Sequence, residues 1–147
     1  MRSEIILKLE LLEFIQRIVE KYEVPQEEID YFDSVYNALD EKEYMFKMEL
    51  IFGSYMYISD INKDERISFA LGMESFIKIN RSKAGTDFIN KSEEYKKNTT
   101  LKIMKKEYDN EPYKLMYLKG IEAAIDLDTE YMNKKQLLEK VRTRTLS

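Results

Sequence analysis

The chain has 147 residues, a net charge of −4 and no cysteine, histidine or tryptophan. That is the length of one ordinary domain, with no disulfide or thiolate metal site and without the commonest general base and metal ligand. Four glycines and two prolines, with no apolar run near the roughly 18 residues of a membrane helix, point to a soluble, cytoplasmic, all-α domain of long helices that calls for no cofactor.

Ile5, Leu9, Leu12, Ile15, Val19 and Tyr22 keep helical spacing from Ser3 onward, and Leu11, Phe14 and Ile18 widen the stripe. This start is amphipathic, unlike a signal peptide. Val24-Pro25 ends the helix, and Pro25 opens a second one, from about Gln26 to Leu39, with Glu27 and Glu28 at its positive end. Ile29, Phe32, Val35, Tyr36 and Leu39 form its buried face, and its outer face is acidic. Asp40-Glu-Lys-Glu43 has the capping-box spacing. It starts a third helix carrying Tyr44, Met48, Ile51, Phe52, Tyr55 and Ile58. The run Leu50–Ile58 is rich in aromatic and branched residues, yet it lacks the alternation of a strand.

Ser59–Lys63 is a polar turn into the stretch around which the chain is organised, Asp64–Lys78. Asp64 is the expected cap. Phe69, Gly72, Met73, Phe76 and Ile77 share one broad apolar face, and Ser68, Glu74, Ser75 and Lys78 collect on the opposite, solvent face. A glycine inside a helix costs about 0.5–1 kcal/mol relative to alanine. In the middle of an apolar face it lets a second helix backbone approach closely.

Thr86 is the expected cap of a fifth helix with Phe88, Ile89 and Tyr95, interrupted at Asn98-Thr-Thr100 before Leu101, Met104 and Tyr108 resume the pattern. Asn110-Glu-Pro112 starts a sixth with Tyr113, Met116, Tyr117, Gly120, Ile121, Ala124 and Ile125. Asp126-Leu-Asp128-Thr129 is expected to break it before a last helix with Tyr131, Leu138 and Val141, and residues 142–147 read as a frayed tail. The expectation is therefore a single all-α domain over 1–147, a bundle of six or seven helices around a glycine-containing central one. Phe69-x-x-Gly72-x-Glu74-x-x-Ile77 is echoed 48 residues on by Tyr117-x-x-Gly120-x-Glu122-x-x-Ile125. Two core helices that both use glycine, or a duplicated hairpin, would each give that echo.

The charge is unevenly spread. Residues 1–74 hold 8 basic and 17 acidic residues, a balance of −9, and residues 75–147 hold the other 16 and 11, a balance of +5. The acidic half is densest from Val24 to Tyr44, and the basic half from Arg81 to Lys106. Such asymmetry speaks about partners and association, not fold.

Three motifs each have a plainer reading. Asp60-Ile-Asn62-Lys-Asp64 resembles the start of a calcium-binding EF-hand loop, but Glu65 stands where the motif has glycine and Leu71 where it has the bidentate glutamate. The plainer reading is a polar turn that binds no metal. Ser75-Phe-Ile-Lys78 matches a Ser-x-x-Lys nucleophile pattern without a companion motif. On a helix it merely places two polar residues toward solvent, so no catalytic residue is assigned. The basic stretch interleaves Phe88 and Tyr95 with Lys and Arg, as nucleic-acid binders do, but it also holds Asp87, Glu93 and Glu94.

The stretch Leu39–Met73, beginning Leu-Asp-Glu-Lys-Glu and ending Phe-Ala-Leu-Gly-Met, resembles small helical proteins of unknown function from Gram-positive bacteria and their phages. It covers about a quarter of the chain. The resemblance implies a helical hairpin and a mobile-element setting, and it transfers no site residue. The reading that follows is a non-enzymatic protein-binding or regulatory module, one concrete version being an inhibitor of a host factor. Its candidate partner-binding residues are Glu27, Asp30, Asp33, Asp40, Glu41 and Glu43, its expected partner a basic nucleic-acid-binding protein or a second copy in a homodimer. A nucleic-acid binder using residues 81–106 is the alternative, and a carboxylate- and metal-dependent enzyme stands third.

Overall fold

A computed structural model describes residues 4–129. Among them the chain is all-α, as its periodicity predicts, with seven α-helices, two 3₁₀ turns and no strand. They are α1 (Glu4–Tyr22), α2 (Gln26–Tyr36), α3 (Glu41–Gly53), α4 (Lys63–Ser82), α5 (Glu93–Ile103), α6 (Lys105–Asp109) and α7, helical through residues 114–129. The expected last helix with Tyr131, Leu138 and Val141, the tail 142–147 and Ser3 lie outside the described residues. Contacts gather the described residues into two compact units, one ending at Ala70 and the other beginning at Leu71, with the boundary inside α4.

In the first unit α3 packs on both α1 and α2. Leu11 and Ile18 of α1, Phe32 and Tyr36 of α2, and Met48, Ile51 and Phe52 of α3 are buried together with Tyr55 and Phe69. The Phe32 and Phe52 rings meet edge to face at 6.0 Å, and Phe52 stacks on Tyr55 at 6.1 Å, geometries that suit the ring quadrupole. The turn from α1 to α2 puts Glu23 in the left-handed region at φ 52. Its neighbour Val24 is buried and donates its N–H to the Val19 carbonyl at 3.1 Å, closing the end of α1.

Several boundaries differ from the periodic pattern. Helix α2 stops at Tyr36 instead of Leu39, which is exposed rather than buried, and Val35, although within the helix, is exposed as well. The chain turns there because the Leu39 N–H donates back to the Tyr36 carbonyl. Asp40 caps α3 as expected, accepting from the Glu43 N–H at 3.0 Å. That helix ends at Gly53 and tightens into a 3₁₀ turn, Ser54–Met56, rather than running on to Ile58. Helix α4 starts one residue earlier than expected, and Asp64 is not its cap. Asn62 accepts from the Glu65 N–H at 2.8 Å while its amide donates to the Glu65 carboxylate at 2.7 Å. Asn62 is thus the cap, and its side chain makes both bonds with Glu65.

In the second unit the Gly72 stretch of α4 crosses α7. A Cβ added at Gly72 would lie 2.0 Å from the Tyr117 carbonyl oxygen and 3.1 Å from the Ile121 nitrogen. Only glycine fits where one helix backbone touches another. Met73, Phe76 and Ile79 of α4 are buried alongside Met116, Tyr117, Ile121, Ala124 and Ile125 of α7.

Here too the polar residues mislead. Thr86 caps only the 3₁₀ turn Asp87–Asn90, and Ser92, accepting from the Tyr95 N–H at 3.1 Å, caps α5. Asn98-Thr-Thr100 lies within α5 without breaking it, because the buried Thr100 hydroxyl donates to the Lys96 carbonyl at 2.8 Å. The interruption comes at Met104, before α6. Asp126–Thr129 likewise stays helical, with the Thr129 hydroxyl donating to the Ile125 carbonyl. On α4, Ser68, Glu74 and Ser75 are buried, not solvent-facing. The apolar face is wide enough that its flanks are covered as well.

Candidate functional site

All six candidate partner-binding carboxylates are exposed. At about 100° per residue, Glu27 and Asp30 fall on the arc of α2 opposite Phe32 and Tyr36, while Asp33 lies on its flank, nearer Tyr36. Asp40, Glu41 and Glu43 open α3. They are not equally available. Asp33 accepts the Tyr44 hydroxyl at 2.5 Å, which together with burial pushes that phenol up to about 12, burial being the larger cause. Asp40 is occupied as the α3 cap, Glu41 pairs with Lys8 at 3.6 Å, and Asp30 accepts from the Gln26 amide at 3.0 Å. An exposed ion pair at that distance contributes little, about 0–1 kcal/mol, so most of this negative surface stays open to a partner. Val35, 43% exposed, and Leu39, 36% exposed, add apolar points to it.

The next acidic residue of α2 turns inward. Glu28 accepts the Tyr55 hydroxyl at 3.2 Å, and the Arg66 guanidinium lies over the Tyr55 ring at 3.4 Å. Arg66 is wholly buried. Its Nη1 donates to the Ser54 hydroxyl at 2.7 Å and its Nη2 to the Ser59 carbonyl at 3.3 Å, while Nε has no partner. Burial weakens the hold of the guanidinium on its proton, and Tyr55 and Glu28 oppose that. The sequence reading missed this anchor, since a lone arginine at a helix start reads as surface. The signal was there in Ser54, Tyr55 and Ser59, which precede it by 12, 11 and 7 residues and cluster at the end of a helix.

The turn that resembles a calcium loop is committed to other work. Asn62 caps α4, and Asp64 accepts the Tyr31 hydroxyl at 2.9 Å, the main cause of that phenol's raised pKa. Lys63 lies over the same ring at 4.2 Å. Among the described residues no group of three or more acidic side chains is placed to hold a metal ion.

The basic stretch is interrupted. Lys91 pairs with Asp87 at 3.6 Å, Lys97 with Glu122 at 3.9 Å and Lys105 with Asp109 at 2.7 Å. Lys96 and Phe88 are buried. Tyr95 is exposed, but its ring faces Phe88 at 6.3 Å with the Lys91 ammonium 5.4 Å above it.

The Ser-x-x-Lys pair does not act as a pair. Ser75 Oγ lies 2.9 Å from the Leu71 carbonyl and 2.6 Å from the Tyr117 hydroxyl, whereas Lys78 Nζ sits 2.7 Å from Glu74. These side chains border a cleft of about 500 Å³ in the second unit. A hydroxyl locked between a carbonyl and a phenol has no base to take its proton, so this is not an activated nucleophile. No protein-family model, curated protein or solved structure matches the chain.

Proposed function

We propose that the chain is a non-enzymatic, protein-binding regulatory module that engages a basic surface, such as that of a nucleic-acid-binding protein, through the acidic arc of α2 and the start of α3. The observation that carries this reading is the exposure of all six carboxylates in one continuous run of chain, with exposed Val35 and Leu39 among them. Charge steers encounter, and the apolar points supply contact energy that screened charges lack. An inhibitor carried by a phage or mobile element and acting on a host factor is the setting in which such a module would work. The interrupted basic stretch supports this reading over direct nucleic-acid binding, because ion pairs and burial break the continuous cationic track that a phosphate backbone needs.

The test is release of labelled duplex DNA from a panel of basic DNA-binding proteins as the chain is added. Release is expected from at least one member, weakening as salt rises past about 0.15 M, where the screening length is near 8 Å. The double variant Glu27→Lys with Asp30→Lys is expected to lose it. A gel shift of the DNA by the chain itself, unchanged in that variant, would replace this reading with the nucleic-acid one.

A further inference from the structure

We infer that the cleft bordered by α4, α6 and α7 in the second unit is a binding site for a small aliphatic primary ammonium ion. The floor is built from two buried hydroxyls, Ser75 and Tyr117, 2.6 Å apart. A hydroxyl has one proton to give. Ser75 Oγ lies 2.9 Å from the Leu71 carbonyl, which can only accept, so the Ser75 proton goes there and the Tyr117 proton goes to Ser75. Both protons are then spent inward. The lone pairs left on the phenol oxygen at the cleft floor can only accept, so a ligand reaching them must donate.

The walls agree with the floor. Glu74, Glu107 and Glu111 border the cleft against Lys78 and Lys106, an excess of one negative charge. Burial raises the Tyr117 hydroxyl above its ordinary value and Glu107, Glu111 and Glu74 each raise it further, so their field converges on the floor. The wall already seats one ammonium group: Lys78 Nζ lies 2.7 Å from the buried Glu74 carboxylate. Leu71 and Met104 add apolar surface suited to a short alkyl body, and the Asn110 side chain, whose amide oxygen can accept as well, completes the lining. A cation with N–H donors and a small apolar tail satisfies floor, charge and walls together. An anion meets neither the accepting floor nor the excess negative charge, and a quaternary ammonium has no N–H to give the floor.

Three probes separate these cases when titrated into the full chain and followed by amide chemical shifts: n-butylammonium, tetramethylammonium and butyrate. Saturable shifts at Ser75 and Tyr117 with n-butylammonium in the millimolar range, absent with the other two, are expected. The exposed substitution Glu107→Lys should weaken that binding about tenfold or more by reversing a nearby charge, with the thermal midpoint unchanged as a check on the fold. Equal shifts from tetramethylammonium would reduce the site to undirected charge attraction, saturable butyrate shifts would invert its sign, and no saturable shift from any probe would remove it. Each of these overturns the inference.

Discussion

The two halves of α4 solve the same problem in opposite ways. Before Ala70 the helix buries a full charge: Arg66 is sealed in by a ring, a hydroxyl and a carbonyl. After Leu71 it buries no side chain at all at Gly72, where Tyr117 and Ile121 of α7 press directly on its backbone. A glycine contact is all or nothing, because the neighbour is a rigid backbone. An arginine contact is distributed, because the Tyr55 ring, the Ser54 hydroxyl and the Ser59 carbonyl each hold part of it.

The largest effect is expected at the rigid contact. Gly72→Ala forces a Cβ onto a carbonyl oxygen and should cost about 3 kcal/mol, and Gly72→Leu more, lowering the thermal midpoint by about 10 °C for the alanine variant. A midpoint within a degree of the parent would remove the crossing. Next comes the distributed contact. Arg66→Ala leaves a cavity beside the Tyr55 ring and should cost about 2 kcal/mol, whereas Arg66→Met, which keeps the stem and removes the charge, should cost under about 1 kcal/mol. If methionine proves as damaging as alanine, the guanidinium bonds rather than the packing hold this region.

A smaller, pH-dependent effect tests the same anchor. Tyr55 is pushed up to about 12, first by burial and then by Glu28, with Arg66 pulling the other way. The folded chain therefore keeps this proton after the unfolded chain, near 10, has lost it. The stability it contributes is complete below pH 10 and is lost as pH climbs toward 12. Tyr55→Phe should make that alkaline decline shallower in denaturant titrations, leaving the part due to Tyr44, which is also raised to about 12. Smallest of all is the surface change: Glu27→Lys with Asp30→Lys should shift stability by less than about 0.5 kcal/mol. Sedimentation at low and high salt then reads its effect on self-association. A charge-steered homodimer should weaken in the double variant, and a parent that stays monomeric at both salts would discard it.

The same contrast explains what the sequence disclosed. Gly72 was legible because a glycine flanked by Phe69 and Phe76 at helical spacing has one economical explanation. The acidic arc was legible because exposed charge obeys periodicity. Arg66, Ser75 and Glu74 were not, because a helix-face argument assigns polar residues outward by default. For Arg66 and Ser75 only the far side of the contact, in Tyr55 or Tyr117, reveals that they have partners. Boundaries failed for a related reason. Thr100 and Thr129 read as breakers in one dimension, but in three their hydroxyls bond to the carbonyl four residues back, and the helix continues.

The turn at Glu23 has an evolutionary corollary. A non-glycine residue held at φ 52 pays a conformational toll, and the position is one where asparagine or glycine sits at ease. Glu23→Asn should recover about 0.5–1 kcal/mol while shedding a negative charge outside the acidic arc. Such an unclaimed gain, one substitution away, is the mark of a chain that selection has kept adequate rather than optimal. It gives that chain slack to absorb a destabilising change elsewhere, such as one that retunes its surface toward a new partner.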